Sequence, residues 1–248
     1  MAKARSGSLV RRAEAGRGAP DRAFEPPTRI QTSVLSDRER RLIDALCRRM
    51  PEWITPDRLT AIGSIGAGIA ALGYIGSRWR PEFLFAASFG VVVNWFGDSL
   101  DGSLARRRRI ERPRYGYFLD HSVDALNGLV FALGLGLSPY VSMAASLLLL
   151  CSYQLLAIHV FLTAEVDREF PLAKAYVGPT ELRLLAIAFN CAVYVIGPYD
   201  IRLAGADVSL YSALVTTEAV AFVAVFAIAV YVTAHRLKRQ EADGRPLS

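Results

Sequence analysis

Four aspartates occur within 27 residues of a chain whose neighbouring segments are strongly apolar. They lie in the stretch "FGDSLDGSLARRRRIERPRYGYFLDHSVDALNG", residues 96–128, and are Asp98, Asp101, Asp120 and Asp124. A carboxylate within a membrane span costs about 2.5–3.5 kcal/mol on the insertion scale. Acids in such a setting therefore indicate a function that requires them.

The spacing of these acids predicts that they share one site. Asp98, Asp101, Gly102 and Ala105 stand at i, i+3, i+4 and i+7, and therefore on one face of a helix. Gly116, Asp120 and Asp124 stand at i, i+4 and i+8 on the next helix. An antiparallel hairpin joined by the basic loop would bring these two faces together.

Four converging carboxylates cannot all stay ionised without a partner, and divalent cations would neutralise them. Hard oxygen ligands suit Mg²⁺ or Mn²⁺. A metal pair bordered by Arg106 is suited to phosphoryl transfer, in which a spare carboxylate takes the proton of an attacking hydroxyl. The alternative is that the acids form ion pairs with the arginines at 106–109 and only hold the hairpin together.

The composition predicts an all-α integral membrane protein with six transmembrane helices, preceded by an interfacial amphipathic helix. Of the 248 residues 52% are hydrophobic, and mean hydropathy is +0.27, although 21% are charged. The charge is concentrated between apolar runs that are long enough to span a bilayer. The predicted spans are 56–75, 83–105, 116–137, 140–162, 179–196 and 211–235. In the first span, Gly63, Gly66 and Gly68 are expected to permit close helix packing.

Four regions follow from this pattern. Residues 1–34 are predicted to be a disordered cytoplasmic tail, 35–52 an interfacial amphipathic helix, 53–237 a six-span catalytic membrane domain and 238–248 a cytoplasmic tail. In the second region Ser36 and Glu39 have the spacing of a capping box. Its apolar residues Leu42, Ile43, Leu46 and Met50 recur at helical spacing. A soluble helix packed on a loop is the alternative for this region.

The distribution of Lys and Arg predicts a cell membrane location, inner or plasma membrane, with both termini and the active site in the cytoplasm. The segment before the first span, the loop "RRRRIERPR" and the C-terminal tail are basic and fall on one side of six spans. The net charge of +6 suits anionic lipid rather than nucleic acid, because the basic residues flank apolar spans. The three cysteines show no metal-ligand spacing.

The motif Asp-x2-Asp-Gly-x2-Ala-Arg-x9-Gly-x3-Asp-x3-Asp resembles the signature of the CDP-alcohol phosphotransferases, also called CDP-alcohol phosphatidyltransferases. All eight positions match, and the "ITPDRLTAIG" entry into the first span extends the resemblance. The matching residues are Asp98, Asp101, Gly102, Ala105, Arg106, Gly116, Asp120 and Asp124.

This resemblance implies a membrane enzyme of phospholipid synthesis that joins an alcohol to the phosphate of a CDP-linked donor, here CDP-diacylglycerol, and releases CMP. It makes the four aspartates the ligands of two Mg²⁺ or Mn²⁺ ions, and Asp124 also the general base. Residues implied to bind CDP are Asp57, Thr60, Gly102, Ala105, Arg106 and Gly116. Many relatives have Asn at the position of Asp57. The expected partners are the two substrates, the lipid bilayer and a second copy of the chain in a homodimer.

The acceptor alcohol is left open by the sequence. A phosphorylated acceptor, such as glycerol 3-phosphate or an inositol phosphate, would require a second basic cluster. Lys174 and Arg183 are candidates for this cluster. The alternative is that they are ordinary positive charges that flank the spans on the cytoplasmic side. The stretch "GPTELR" resembles one in choline and ethanolamine phosphotransferases, so that Glu181 either faces an amino-alcohol or caps its helix. The alternatives are therefore a CDP-choline or CDP-ethanolamine enzyme that uses diacylglycerol, and a non-catalytic metal-binding membrane protein.

Overall fold

The computed structural model describes residues 36–167, 179–203 and 205–242, and the predicted N-terminal tail and Lys174 lie outside these ranges. The described chain forms seven helices and one hairpin of two strands. The helices are α1 (Ser36–Arg49), α2 (Pro56–Gly76), α3 (Phe83–Arg108), α4 (Pro113–Gly136), α5 (Met143–Asp167), α6 (Pro179–Ile196) and α7 (Leu210–Ala242). The strands are β1 (Asp200–Leu203) and β2 (Ala206–Ser209).

Six long helices, α2 to α7, occupy the positions of the six predicted spans. Five of them, α2, α3, α5, α6 and α7, are long and apolar enough to cross a membrane. The remaining helix, α4, has 24 residues, which at 1.5 Å per residue is also long enough, but it carries Asp120 and Asp124. The helical membrane architecture is thus confirmed with five candidate spans, and the sixth span, α4, stays a prediction.

Helices α2 and α3 touch through their backbones. A Cβ built on Gly97 of α3 would lie 2.3 Å from Gly63 N and 2.4 Å from Leu59 O, so only glycine is tolerated there. Asn94 Nδ2 donates to Gly63 O across the same contact at 3.1 Å. Small residues allow helices to approach this closely inside a membrane. The predicted role is confirmed for Gly66, where a Cβ would lie 2.4 Å from Asn94 N. A Cβ on Gly63 would meet Asn94 O at an ordinary 3.4 Å, and one on Gly68 would meet nothing within 4 Å.

The remaining helices assemble around this pair. Helix α4 packs on α2 and α5, α5 packs on α7, and α6 packs on α3. One buried apolar cluster, which includes Tyr74, Leu84 and Val193, joins α2, α3 and α6 in the half distant from the aspartates. A second cluster, around Leu59, Leu100 and Leu104, lies between α1, α2 and α3. The two clusters fix the helices on which the aspartates lie.

Helix α1 packs on the membrane helices with most of its apolar face. Ile43, Leu46 and Met50 contact the second cluster, while Leu42 remains 49% exposed. The linker that follows α1 is fixed by Arg108, whose guanidinium donates to the carbonyl oxygens of Pro51 at 2.8 Å and Ile54 at 2.5 Å. Helix α1 is therefore part of the folded body, and its location at the membrane interface stays a prediction.

Two features differ from the all-α expectation. β1 and β2 form an antiparallel hairpin in which Asp200 pairs with Ser209 and Leu203 with Ala206, and Gly205 in its turn has a φ of 89°. The hairpin lies between the predicted spans 179–196 and 211–235, where no strand was predicted. The last helix also extends beyond the predicted span, since α7 has 33 residues and ends at Ala242. The segment from 238 to Ala242, predicted to be a tail, is therefore helical.

Candidate functional site

Three of the four aspartates converge between α3 and α4. Carboxylate oxygens of Asp98, Asp120 and Asp124 all lie within 4.8 Å of one another. Together with Asp101 and Thr60 they line one cleft, whose other lining residues are Gly63, Val123 and Asn127. The structure therefore brings together the two helix faces that the spacing of the acids predicted.

Asp101 lies in the wall of this cleft and is held there by two hydrogen bonds. Thr60 Oγ1 of α2 donates to Asp101 Oδ2 at 2.7 Å, and the backbone N–H of Gly102 donates to Oδ1 at 2.5 Å. The close α2–α3 packing makes the first bond possible, because it places Thr60 opposite Asp101. Thr60, which the resemblance implied as a CDP-binding residue, here orients an aspartate.

Arg183 of α6 brings a positive charge into the acid cluster. Its Nη2 donates to Asp98 Oδ2 at 2.6 Å, and the two side chains are only 20% and 22% exposed. Such a partly buried, charge-assisted bond is stronger than a surface ion pair. Of the three acceptor candidates, Arg183 is thus at the site, Glu181 lies in the first turn of the same helix, and Lys174 falls outside the described residues.

The arginines in the last turn of α3 contact other groups. Arg107 pairs with Asp44 of α1 at 2.9 Å, and Arg108 binds the carbonyls of the α1–α2 linker. Arg106 Nη2 donates to Ser103 Oγ at 3.1 Å on its own helix. These contacts argue against the alternative in which the loop arginines neutralise the aspartates and only hold the hairpin.

The other residues implied to bind CDP lie around the mouth of the hairpin. Asp57, in the first turn of α2, forms an ion pair with Arg112, the residue before α4. A Cβ on Gly116 would meet nothing within 4 Å, and one on Gly102 would meet Arg106 Nη1 at 3.4 Å. Ala105 is partly buried, one turn after Gly102 on α3. Gly116 therefore leaves open space at the start of α4, whereas the guanidinium of Arg106 borders Gly102.

The sequence did not single out Asn127 and Arg112, and the helical period placed His121 about 100° away from the carboxylate face of its helix. Asn127 lines the cleft and lies three residues after Asp124, so the helical period could have revealed it. Arg112 contacts Asp57 across 55 residues, which no local pattern indicates. His121 Nδ1 lies 3.4 Å from Asp120 Oδ2, and its ring packs against Tyr117 and Phe161.

The donor set suits a hard divalent cation. Three carboxylates within 4.8 Å concentrate negative charge, and Arg183 supplies one opposing charge at Asp98. Mg²⁺ and Mn²⁺ prefer oxygen ligands of this kind. The arrangement combines a place for cations, a neighbouring guanidinium and an aspartate that is exposed, Asp124. Such an arrangement can bind divalent cations and, through them, a phosphate group.

Three known proteins are similar to parts of the chain. Phosphatidylinositol phosphate synthase of Cutibacterium acnes is 34% identical over 96 residues, which are 39% of this chain and 42% of that protein. Inner membrane protein YnjF of Escherichia coli is 41% identical over 73 residues, 29% of this chain and 32% of that protein. Archaetidylinositol phosphate synthase of Methanothermobacter thermautotrophicus is 30% identical over 161 residues, 64% of this chain and 77% of that protein. The chain thus spans less than half the length of the first two relatives and about three quarters of the third.

The match to a whole protein family covers more of the chain. The sequence profile of the family described as CDP-alcohol phosphatidyltransferase matches residues 49–233, from the end of α1 to well inside α7. All four aspartates and the helices that carry them fall within this range. The protein belongs to the CDP-alcohol phosphatidyltransferase family.

Proposed function

We propose that the protein is a membrane enzyme of phospholipid synthesis that transfers a phosphatidyl group from CDP-diacylglycerol to an alcohol and releases CMP. The observation that carries this proposal is the convergence of Asp98, Asp120 and Asp124 within 4.8 Å at the α3–α4 hairpin. Such a cluster can bind cations that receive a diphosphate. A metal carrier would instead require polar groups that continue through the bilayer, whereas the acids here are gathered at the α3–α4 hairpin.

In this proposal Asp98, Asp101, Asp120 and Asp124 hold two Mg²⁺ or Mn²⁺ ions. Bound ions would neutralise the phosphate oxygens of the donor and stabilise the leaving CMP. Asp124 takes the proton of the acceptor hydroxyl. The hydroxyl oxygen of the acceptor then attacks the phosphorus that carries diacylglycerol. The bond between that phosphorus and the oxygen of CMP breaks at the same centre.

The CDP group would lie beside Gly102, Ala105 and Gly116, where Gly116 leaves the backbone open and the Arg106 guanidinium borders Gly102. Arg106 is exposed and bonded to Ser103, a contact that a phosphate oxygen can replace. Asp57 and Thr60 at the start of α2 would complete the pocket. Thr60 acts there through Asp101, to which it donates at 2.7 Å.

A phosphorylated acceptor is supported by Arg183. Its guanidinium lies beside Asp98 and inside the site, where it can bind a second phosphate through bidentate hydrogen bonds. Two of the similar proteins are named as synthases of phosphatidylinositol phosphate and archaetidylinositol phosphate. We therefore propose an inositol phosphate as acceptor, with Glu181 and Lys174 as further contacts.

A CMP-release assay on the purified protein tests the proposal. CDP-diacylglycerol would be offered with inositol 1-phosphate, glycerol 3-phosphate, free inositol and ethanolamine, and CDP-choline with diacylglycerol as a separate pair. We expect CMP release with CDP-diacylglycerol, fastest with inositol 1-phosphate. Release only from CDP-choline would favour the amino-alcohol alternative, and no release from any pair would favour the non-catalytic one.

Light scattering in detergent tests the proposed homodimer.

A further inference from the structure

Glu39 of α1 joins two of the membrane helices that build the site. Its Oε1 accepts a hydrogen bond from Trp95 Nε1 of α3 at 2.9 Å and another from Thr180 Oγ1 of α6. The sequence showed Glu39 only at the spacing of a capping box with Ser36. In the structure one carboxylate oxygen connects three helices.

The two donors to Glu39 are each one turn from a residue of the site. Trp95 precedes Asp98 by three residues on α3, and Thr180 precedes Arg183 by three residues on α6. Residues three apart lie on adjacent positions of a helix surface. The Glu39 contacts and the Arg183–Asp98 ion pair therefore form two neighbouring connections between α3 and α6.

The placement of α6 depends on polar contacts such as the Thr180–Glu39 hydrogen bond and the Arg183–Asp98 ion pair. Among the described elements, α6 packs mainly on α3. Further along, Asn190 Nδ2 donates to Ser88 Oγ at 3.1 Å and fixes the distant half of the helix. The half that carries Arg183 is fixed by the bond from Thr180 to Glu39 and by the ion pair itself.

We propose that Glu39 is a positioning residue, which sets the location of Arg183 relative to Asp98 and thereby the affinity for the phosphate of the acceptor. This inference rests on the proposed function for the identity of the acceptor. Glu39 lies before residues 49–233, the range that the family profile matches. The contact therefore extends the site to a helix outside the family's matched region.

The test compares variants that remove one contact with variants that keep it. Glu39→Ala removes the acceptor and Thr180→Val removes the donor without a change of shape. Glu39→Gln keeps an oxygen that accepts both bonds, and Thr180→Ser keeps the hydroxyl. Asp44→Asn is the matched control, because it weakens the ion pairs of Asp44 with Arg107 of α3 and Arg48 of α1, neither of which belongs to α6.

Two readouts are measured for each variant. The first is amide hydrogen exchange in peptides of α6, which reports local opening. The second is the pair of KM values for inositol 1-phosphate and for CDP-diacylglycerol. We expect Glu39→Ala and Thr180→Val to speed amide exchange in the first turns of α6. Both variants should also raise KM for inositol 1-phosphate about tenfold, which corresponds to the loss of the charge-assisted bond between Glu39 and Thr180. KM for CDP-diacylglycerol and the values of the three other variants should stay near those of the wild type.

Unchanged exchange in both contact-removing variants would overturn the inference, and so would faster exchange with an unchanged KM for inositol 1-phosphate. An equal rise of both KM values would show general damage and would also overturn it. If the wild type releases no CMP with any acceptor, the proposed function fails. The exchange data would then still decide whether Glu39 holds α6.

Discussion

Gly97→Ala should separate α2 from α3 and misplace Asp101. The new Cβ would lie 2.3 Å from Gly63 N, whereas ordinary contact begins at 3.4 Å. The helices must therefore move apart by about 1 Å, a displacement that can reduce catalysis about 10²-fold. The Thr60–Asp101 hydrogen bond, 2.7 Å long, would stretch beyond the range in which such bonds are effective.

The stability effect has two opposing parts. Overpacking costs about 1–3 kcal/mol, and the better helix propensity of Ala returns about 0.5–1 kcal/mol. We therefore expect a net loss of stability of up to about 2 kcal/mol together with the fall in CMP release. Thermal unfolding in detergent and the CMP-release assay measure the two quantities on the same preparation.

Gly68→Ala is the matched control on α2. A Cβ there would meet nothing within 4 Å, so the change should leave activity intact and stability equal or slightly higher. If Gly97→Ala also keeps wild-type stability and activity, the helices are not in backbone contact at this point. Glycine packing would then not be what positions Asp101.

Three further outcomes are expected. EDTA should abolish CMP release and Mg²⁺ or Mn²⁺ should restore it, because the carboxylates of Asp98, Asp120 and Asp124 lie within 4.8 Å of one another; full activity in excess EDTA would exclude the metal proposal. Asp124→Asn should lower turnover about 10²–10⁴-fold while CMP binding, measured by calorimetry, persists in weakened form; near-normal turnover would assign the proton transfer to another group. A cysteine at Arg109 should react with an impermeant thiol reagent only in inside-out vesicles, since basic loops stay in the cytoplasm; labelling of intact cells would reverse the proposed topology.

The central part of the site could be predicted because it is local in sequence. Asp98 and Asp101 follow the helical period on α3, Asp120 and Asp124 follow it on α4, and a short loop joins the two helices. The period alone sufficed to place four carboxylates around one cleft. Asn127 obeys the same rule and was overlooked only because an amide is a less conspicuous residue than an acid.

The contacts that complete the site could not be predicted in this way. Arg183 and Asp98 are separated by 85 positions, and Thr180 and Glu39 by 141. Such pairs depend on how α6 and α1 pack on α3, which the hydropathy of the segments does not specify. The hairpin of β1 and β2 was missed for a different reason, because each strand has only four residues and too few positions to show alternation.

The length of α7 has a mechanical consequence. Its 33 residues extend about 50 Å, whereas the hydrocarbon core of a bilayer is about 30 Å thick. The helix therefore continues as a stiff rod for several turns past the lipid tails, and its final charged segment begins at Arg236. A spin label or fluorophore at Glu241 would follow the tilt of the span itself, because the same helix carries it. Distances from such a label to the membrane surface would then record how α7 leans when CDP-diacylglycerol is added.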